Sequence, residues 1–309
     1  MSNTGAVKDK IFRSVLLIAA TSIVMLVVGI LFMMAWNSWP TITKFGIAFL
    51  YGSEWAPAQE QFGALPFIYG SVVSSLLALL IAVPVSIGIA IFLVEQAPRS
   101  VARPIAFMIE LLAAIPSVVY GLWGIFVLAP FIRNYLGPLL QDNLGFLPIF
   151  QGRLTGIGLF TAGLILAIMV TPIITAVVRD VLEAVPTNQR EAALALGATK
   201  WETTRIVLGN AASGIAGAVV LGLGRAIGET MAVTMVIGNS PQISASLFEP
   251  AYTIASVLAA NFADATDEIY LSALIEIGLV LFLVTFIVNA LAKLLIMSVT
   301  RGAAADRHA

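Results

Sequence analysis

The sequence predicts an all-α membrane protein, and three observations carry that reading. Of its 309 residues 60% are hydrophobic and only 11% charged, against about 25% charged in an ordinary soluble domain. Six stretches meet or approach the roughly 20 apolar residues that a helix needs to cross a bilayer core; they lie near 15–36, 68–94, 105–130, 156–177, 212–238 and 270–297. Unpaired backbone polar groups are so costly in lipid that runs of this length fold as helices rather than as open strands. A single transmembrane domain over 1–309 is expected, with no soluble domain, low-complexity tract or internal repeat.

The first run follows a basic segment with Lys8, Lys10 and Arg13. It is too long for a signal-peptide core and reads as an uncleaved first span. Pro84, Pro116 and Pro172 interrupt the second, third and fourth runs. Proline removes a helix hydrogen bond and kinks the axis, but it is common in membrane helices, so these read as structural. Ser71, Ser117 and Tyr120 bring hydroxyls that can line a path for an oxyanion, although such hydroxyls more often bond their own backbone. Glu110 is expected near the cytoplasmic surface, within reach of Arg99 or Arg103. The loop 239–269 has no basic residue but carries Glu249, Asp264, Asp267 and Glu268. It reads as an outer cap, with Tyr252 to Phe262 as a short helix. In the sixth run Glu276 either lines an outer vestibule or snorkels toward the surface.

Basic residues concentrate in cytoplasmic loops. Twelve of the sixteen lie at the N-terminus, in 95–104, in 178–211 and toward the C-terminus, whereas the alternate loops hold three. Both termini are therefore expected in the cytoplasm. A net charge of -1 points to no nucleic-acid partner. With no cysteine and a single histidine, His308, the chain lacks material for a disulfide, a thiolate metal site or histidine catalysis. No nucleophile with a positioned base is visible, so an enzyme is not expected, nor a cofactor bound by this chain.

The loop 178–211 includes RDVLEAVPTNQREAALALGATKWETTRIVL from Arg179. Pro186 and Thr187 suit a turn into a helix, Gly197 can end it in a left-handed conformation, and Thr199 can cap the next. Two short helices joined at a glycine are predicted. EAALALG alone would pass as an ordinary surface helix. Its place between the fourth and fifth spans, on the expected cytoplasmic side, favours a helix that a motor protein grips.

In the fifth run, LGLGRAIGETMAV puts Arg225 and Glu229 four residues apart, on one helix face. A charge at the centre of a membrane helix costs at least about 2.5–3.5 kcal/mol, so the pair should face a cavity or other helices. Gly222, Gly224 and Gly228 leave the helix surface bare for close approach. A guanidinium donates two parallel hydrogen bonds to phosphate oxygens. A salt bridge that merely hides both charges is the alternative. The two coexist if Glu229 holds or neutralises Arg225 until substrate competes for it.

Glu191, Ala192 and Ala193, with Gly197 four positions on, resemble the cytoplasmic signature of the inner-membrane permeases of ABC importers. Leu208 is followed by Gly209 where that signature continues to leucine-proline. GRAIGETMAV narrows the resemblance to the phosphate permeases of the PstC type. FGALPFIYGS at 62–71, ELLAAIPSVVYGLWG at 110–124 and TIASVLAANF at 253–262 are similar to the same subfamily. The resemblance implies a type I ABC importer permease fold in a prokaryotic cytoplasmic (inner) membrane. It implies as partners a second, PstA-type permease, two PstB-type ATPase subunits holding ATP and Mg, and an extracytoplasmic PstS-type phosphate-binding protein. It assigns Glu191, Ala192, Ala193 and Gly197 to ATPase coupling, and Arg225 and Glu229 to the phosphate path. Charge and shape alone leave molybdate or sulfate open as cargo. An ion-coupled secondary transporter, with Arg225 and Glu229 as a relay, is the rival from another class, and the missing repeat argues against it.

Overall fold

The computed structural model describes residues 3–305, with side chains at Asp9 and over 11–294, so His308 lies outside the described residues. The chain enters through α1 (Asn3–Asn37) and turns through α2 (Trp39–Phe45) and α3 (Ala48–Tyr51). A two-stranded antiparallel ribbon follows, β1 (Trp55–Ala56) against β2 (Gln61–Phe62), with Trp55 opposite Phe62. Next come α4 (Leu65–Gln96), the amphipathic α5 (Arg99–Ala113), α6 (Ser117–Leu144) and α7 (Leu159–Glu183). The second half holds α8 (Thr187–Ala195), α9 (Lys200–Ile227), α10 (Met231–Val236), α11 (Ile254–Asn261) and α12 (Glu268–Ala305). Six of these helices are long and apolar enough to cross a membrane.

Helix α7 is the centre of the bundle. In its apolar window 67% of the residues are buried, against none in that of α1. Ile165, Leu166, Val170, Ile174 and Val178 are fully enclosed and face Ala78 and Ala82 of α4 and Ala218 of α9. Small residues on α4 let the two backbones approach, the usual packing in lipid, where apolar burial alone does not drive association. Pro84 and Pro172 both stay inside continuous helices. Ser86 Oγ donates to the carbonyl of Thr171 at 3.1 Å, tying α4 to α7 at that level.

A second apolar cluster gathers Phe49, Phe62, Phe67, Tyr252, Ile254 and Ile277 under the ribbon, at the opposite end of the bundle from α8. Here two of the strings singled out in the sequence meet. A Cβ at Gly70 would lie 2.0 Å from the carbonyl oxygen of Tyr252, and Ser71 Oγ accepts from the amide of Ile254 at 2.8 Å. Ser71 therefore holds the start of α11, which also carries a reciprocal cap between Thr253 and Ser256.

Two expected spans are corrected. The stretch 105–130 is divided, because the chain leaves the helix at Ala114 and restarts from an extended Pro116, which has no amide to donate. The third span is Ser117–Leu144, and α5 before it buries no residue. The stretch 212–238 also breaks: α9 begins at Lys200, ends at Ile227, and a non-helical link through Thr230 precedes α10. The expected short helix after Tyr252 is α11, and the loop before it does more than cap. Its carbonyls at Glu249 and Leu247 accept from the amides of Leu159 and Phe160, satisfying the first turn of α7.

Candidate functional site

The break in the fifth span defines the first site. Irregular backbone at membrane depth persists only where protein or a cavity surrounds it. Gly228 and Glu229 still donate back to the carbonyls of Gly224 and Ala226, and helix resumes only at Met231. Glu229 Oε1 accepts from the amide of Ala232 at 3.5 Å, so its carboxylate sits at the start of α10. Its Oε2 lies 3.5 Å from an Arg225 terminal nitrogen. The Glu229 side chain is only 5% exposed and that of Arg225 46% exposed. The two charges thus have different surroundings: the acid is enclosed, while the guanidinium keeps donors on the open surface, with no second ion-pair partner among the described residues.

The glycines divide as well. A Cβ at Gly222 would meet Ile174 of α7 at 2.6 Å, whereas one at Gly224 would meet nothing within 4 Å. Gly222 serves packing inside the chain, and the open surface lies at Gly224, next to Arg225. Across the break, a Cβ at Gly121 would lie 2.5 Å from Met235 Sδ and 3.2 Å from Ala232 Cα. α6 and α10 are therefore in backbone contact, and ELLAAIPSVVYGLWG packs against GETMAV.

The other candidate residues do not join this pair. Tyr120 is buried, and its hydroxyl donates to the carbonyl of Leu112 at 2.9 Å, bridging the interruption at Pro116. Ser117 is half-buried at the start of α6. Glu276 is buried beside Thr41 and Ser272, whose hydroxyls lie 2.8 Å apart, and its Oε2 has no partner among the described residues. It neither snorkels nor pairs with Arg225. Glu110 takes Arg179 as its partner at 3.1 Å rather than Arg99 or Arg103, because α5 packs against α7.

The second site is α8. Pro186 starts it and Gly197, at φ +84°, ends it. The amide of Gly197 bonds to the carbonyl of Leu194 and that of Ala198 to Ala193, the paired bonds of a Schellman motif. Thr199 then caps α9 reciprocally with Glu202. What reads as a second short helix is the first turns of a 28-residue span. α8 is therefore joined through Gly197 to the helix that carries Arg225. Glu191 and Ala192 are exposed, Ala193 is buried against the bundle, and Leu196 stands 90% exposed.

Sequence reading missed Arg190. Its Nε and Nη2 donate to Glu95 Oε1 at 3.0 and 2.8 Å, and it also donates to the carbonyls of Val185 and Leu182. Four donations from one side chain pin α8 to the ends of α4 and α7. Residues 95 positions apart leave no local pattern to find.

The bundle thus combines six helices long enough to cross a membrane, a charged break after the fifth and a capped helix at the other end of that span. The chain belongs to the binding-protein-dependent transport system inner membrane components, whose family model matches residues 82–301. It is 46% identical over 299 residues to the phosphate transport system permease protein PstC of Mesorhizobium japonicum, covering 95% of this chain and 91% of that one. To the protein of the same name from Xylella fastidiosa (strain 9a5c) it is 47% identical, covering 95% and 92%. To that of Haemophilus influenzae it is 46% identical, covering 95% of both. A chain of the inward-facing MetNI methionine ABC transporter superposes with a TM-score of 0.51 at 19% identity, over 75% of this chain and 93% of that one, a likeness of fold.

Proposed function

We propose that this permease carries inorganic phosphate, as one half of a channel completed by a second, PstA-type permease and driven by two PstB-type ATPase subunits. A PstS-type binding protein delivers the anion at the end of the bundle opposite α8. The observation that carries the reading is the unequal exposure of Arg225 and Glu229 at the break between α9 and α10. A guanidinium with free donors beside the open surface at Gly224 offers a phosphate two parallel hydrogen bonds. The enclosed carboxylate behind it keeps the arginine aimed and lowers the cost of its charge before the anion arrives.

The arrangement binds briefly rather than tightly. A half-exposed arginine gives substrate a way in and out, and conduction requires that binding be weak enough to release. Coupling runs from ATP on the partner subunits through Glu191, Ala192, Ala193 and Gly197. The exposed Leu194, Leu196 and Trp201 supply the apolar knob that an ATPase cleft would enclose.

Phosphate uptake into liposomes holding the reconstituted importer tests this, with binding protein outside and ATP inside. Uptake should need ATP and fail with Arg225→Ala or Glu191→Lys while the complex still assembles. Uptake by this chain alone on an ion gradient, indifferent to ATP, would sink it.

A further inference from the structure

On the α8 side of the bundle, a cavity of about 550 Å³ lies between the end of α4, the start of α5 and the end of α7. Three arginines line it: Arg99 and Arg103 from α5 and Arg179 from α7, with Glu183 as its acid. Arg179 is already engaged, by Glu110 and Asp180 at 3.1 Å each. Arg99 and Arg103 are exposed and have no ion-pair partner among the described residues. They stand four apart, on one face of α5. Pro98 gives the first turn of that helix no side-chain cap.

The rest of α5 says what lies beside the cavity. The helix buries no residue, yet Phe107, Met108, Leu111 and Leu112 are 45–63% exposed. A helix with a basic first turn and an unburied apolar face lies in the plane of a membrane surface, apolar face toward the acyl chains. Its basic turn then sits at headgroup depth, and Leu93 and Ala106 line the cavity together with the charged side chains.

We propose that Arg99, Arg103 and Arg179 form a binding site for a single phosphate group at the membrane surface. The phosphodiester of an anionic lipid and free phosphate share the required chemistry. The exposed apolar face of α5 beside the cavity favours the lipid. A bound anion satisfies the two unpaired guanidinium groups and joins α5 to α7 next to Glu95, the residue that holds Arg190 of α8. The site is independent of the substrate path at Arg225.

The test uses the full chain in phosphatidylcholine nanodiscs doped with phosphatidylglycerol, read by native mass spectrometry of retained lipid. The Arg99→Gln/Arg103→Gln double variant is compared with wild type, and Arg133→Gln, which removes an arginine outside the cavity, serves as control. At about fivefold per surface arginine, the double variant should retain phosphatidylglycerol about 30-fold less well, with phosphatidylcholine retention unchanged. A second arm follows broadening of the phosphorus resonance of inorganic phosphate in pure phosphatidylcholine, with Arg225→Ala present throughout to silence the substrate path. Selective lipid retention lost in the double variant identifies the lipid. Broadening lost in the double variant without selective lipid retention identifies the free ion. If the double variant matches wild type in both arms, the cavity is not a phosphate site.

Discussion

At Arg225 the geometry separates two roles that a salt bridge alone would merge. If the pair only hid charge, both side chains would be enclosed; instead Glu229 is enclosed and Arg225 is half open. Removing the guanidinium should then cost the phosphate its charge-assisted hydrogen bonds, worth about 1.5–3 kcal/mol. Arg225→Ala is expected to lower ATP-driven phosphate uptake by about 10- to 100-fold with ATPase assembly intact. Arg225→Lys should recover only part of it, since lysine is a point charge without the fork. Uptake rates of the three forms, at equal complex yield, check this. Arg190 makes a different kind of prediction. It and Glu95 are 18% and 12% exposed, and breaking such a largely enclosed pair from one side leaves an uncompensated charge. Arg190→Ala should destabilise the chain by about 3 kcal/mol, whereas replacing both Arg190 and Glu95 by leucine should recover most of that loss. Thermal unfolding of the purified variants in detergent reads both values.

At the scale of one element, α8 depends on how it stops. Gly197 sits at φ +84° with nothing within 4 Å of a Cβ placed there, so a substitution acts through the backbone and not through a clash. A left-handed residue with a Cβ costs about 1–2 kcal/mol, and asparagine tolerates the region best. Gly197→Val should therefore fray the end of α8, raise hydrogen exchange at Gly197 and Ala198 relative to the rest of the helix, and weaken coupling of ATP hydrolysis to uptake. Gly197→Asn should do neither. This element was legible because its signals are local: a proline before and a glycine after. The third and fifth spans were less so. Hydropathy sees a continuous apolar run through Pro116 and through Gly228 to Thr230, whereas the backbone breaks at both, for want of an amide at one and around a charged side chain at the other. Arg225 and Glu229 were legible as an intrahelical pair. Their unequal burial was not, because it depends on tertiary packing: Glu229 sits just before α10, which packs against α6 and α7.

Across the whole molecule, the pairing of ends is fixed by the fold and its direction in the membrane is set by charge. Glu95 bonds to Arg190, so the end of α4 and the helix α8 share one side. α7 crosses between residues 159 and 183, so Arg153 just before it lies on the other side. The concentration of lysine and arginine predicts that the α8 side faces the cytoplasm, and the proposed ATPase partner requires the same. The chain has no cysteine, so single introduced thiols report without background. Arg153, in the loop before α7, and Lys200, the first residue of α9, are both exposed. In intact cells, Arg153→Cys should react with a membrane-impermeant maleimide and Lys200→Cys should react only after the membrane is opened. The reverse pattern would place α8 outside, away from any ATP, and would remove the coupling role of Glu191 and Gly197 together with the route by which a push on α8 travels along the 28-residue α9 to Arg225.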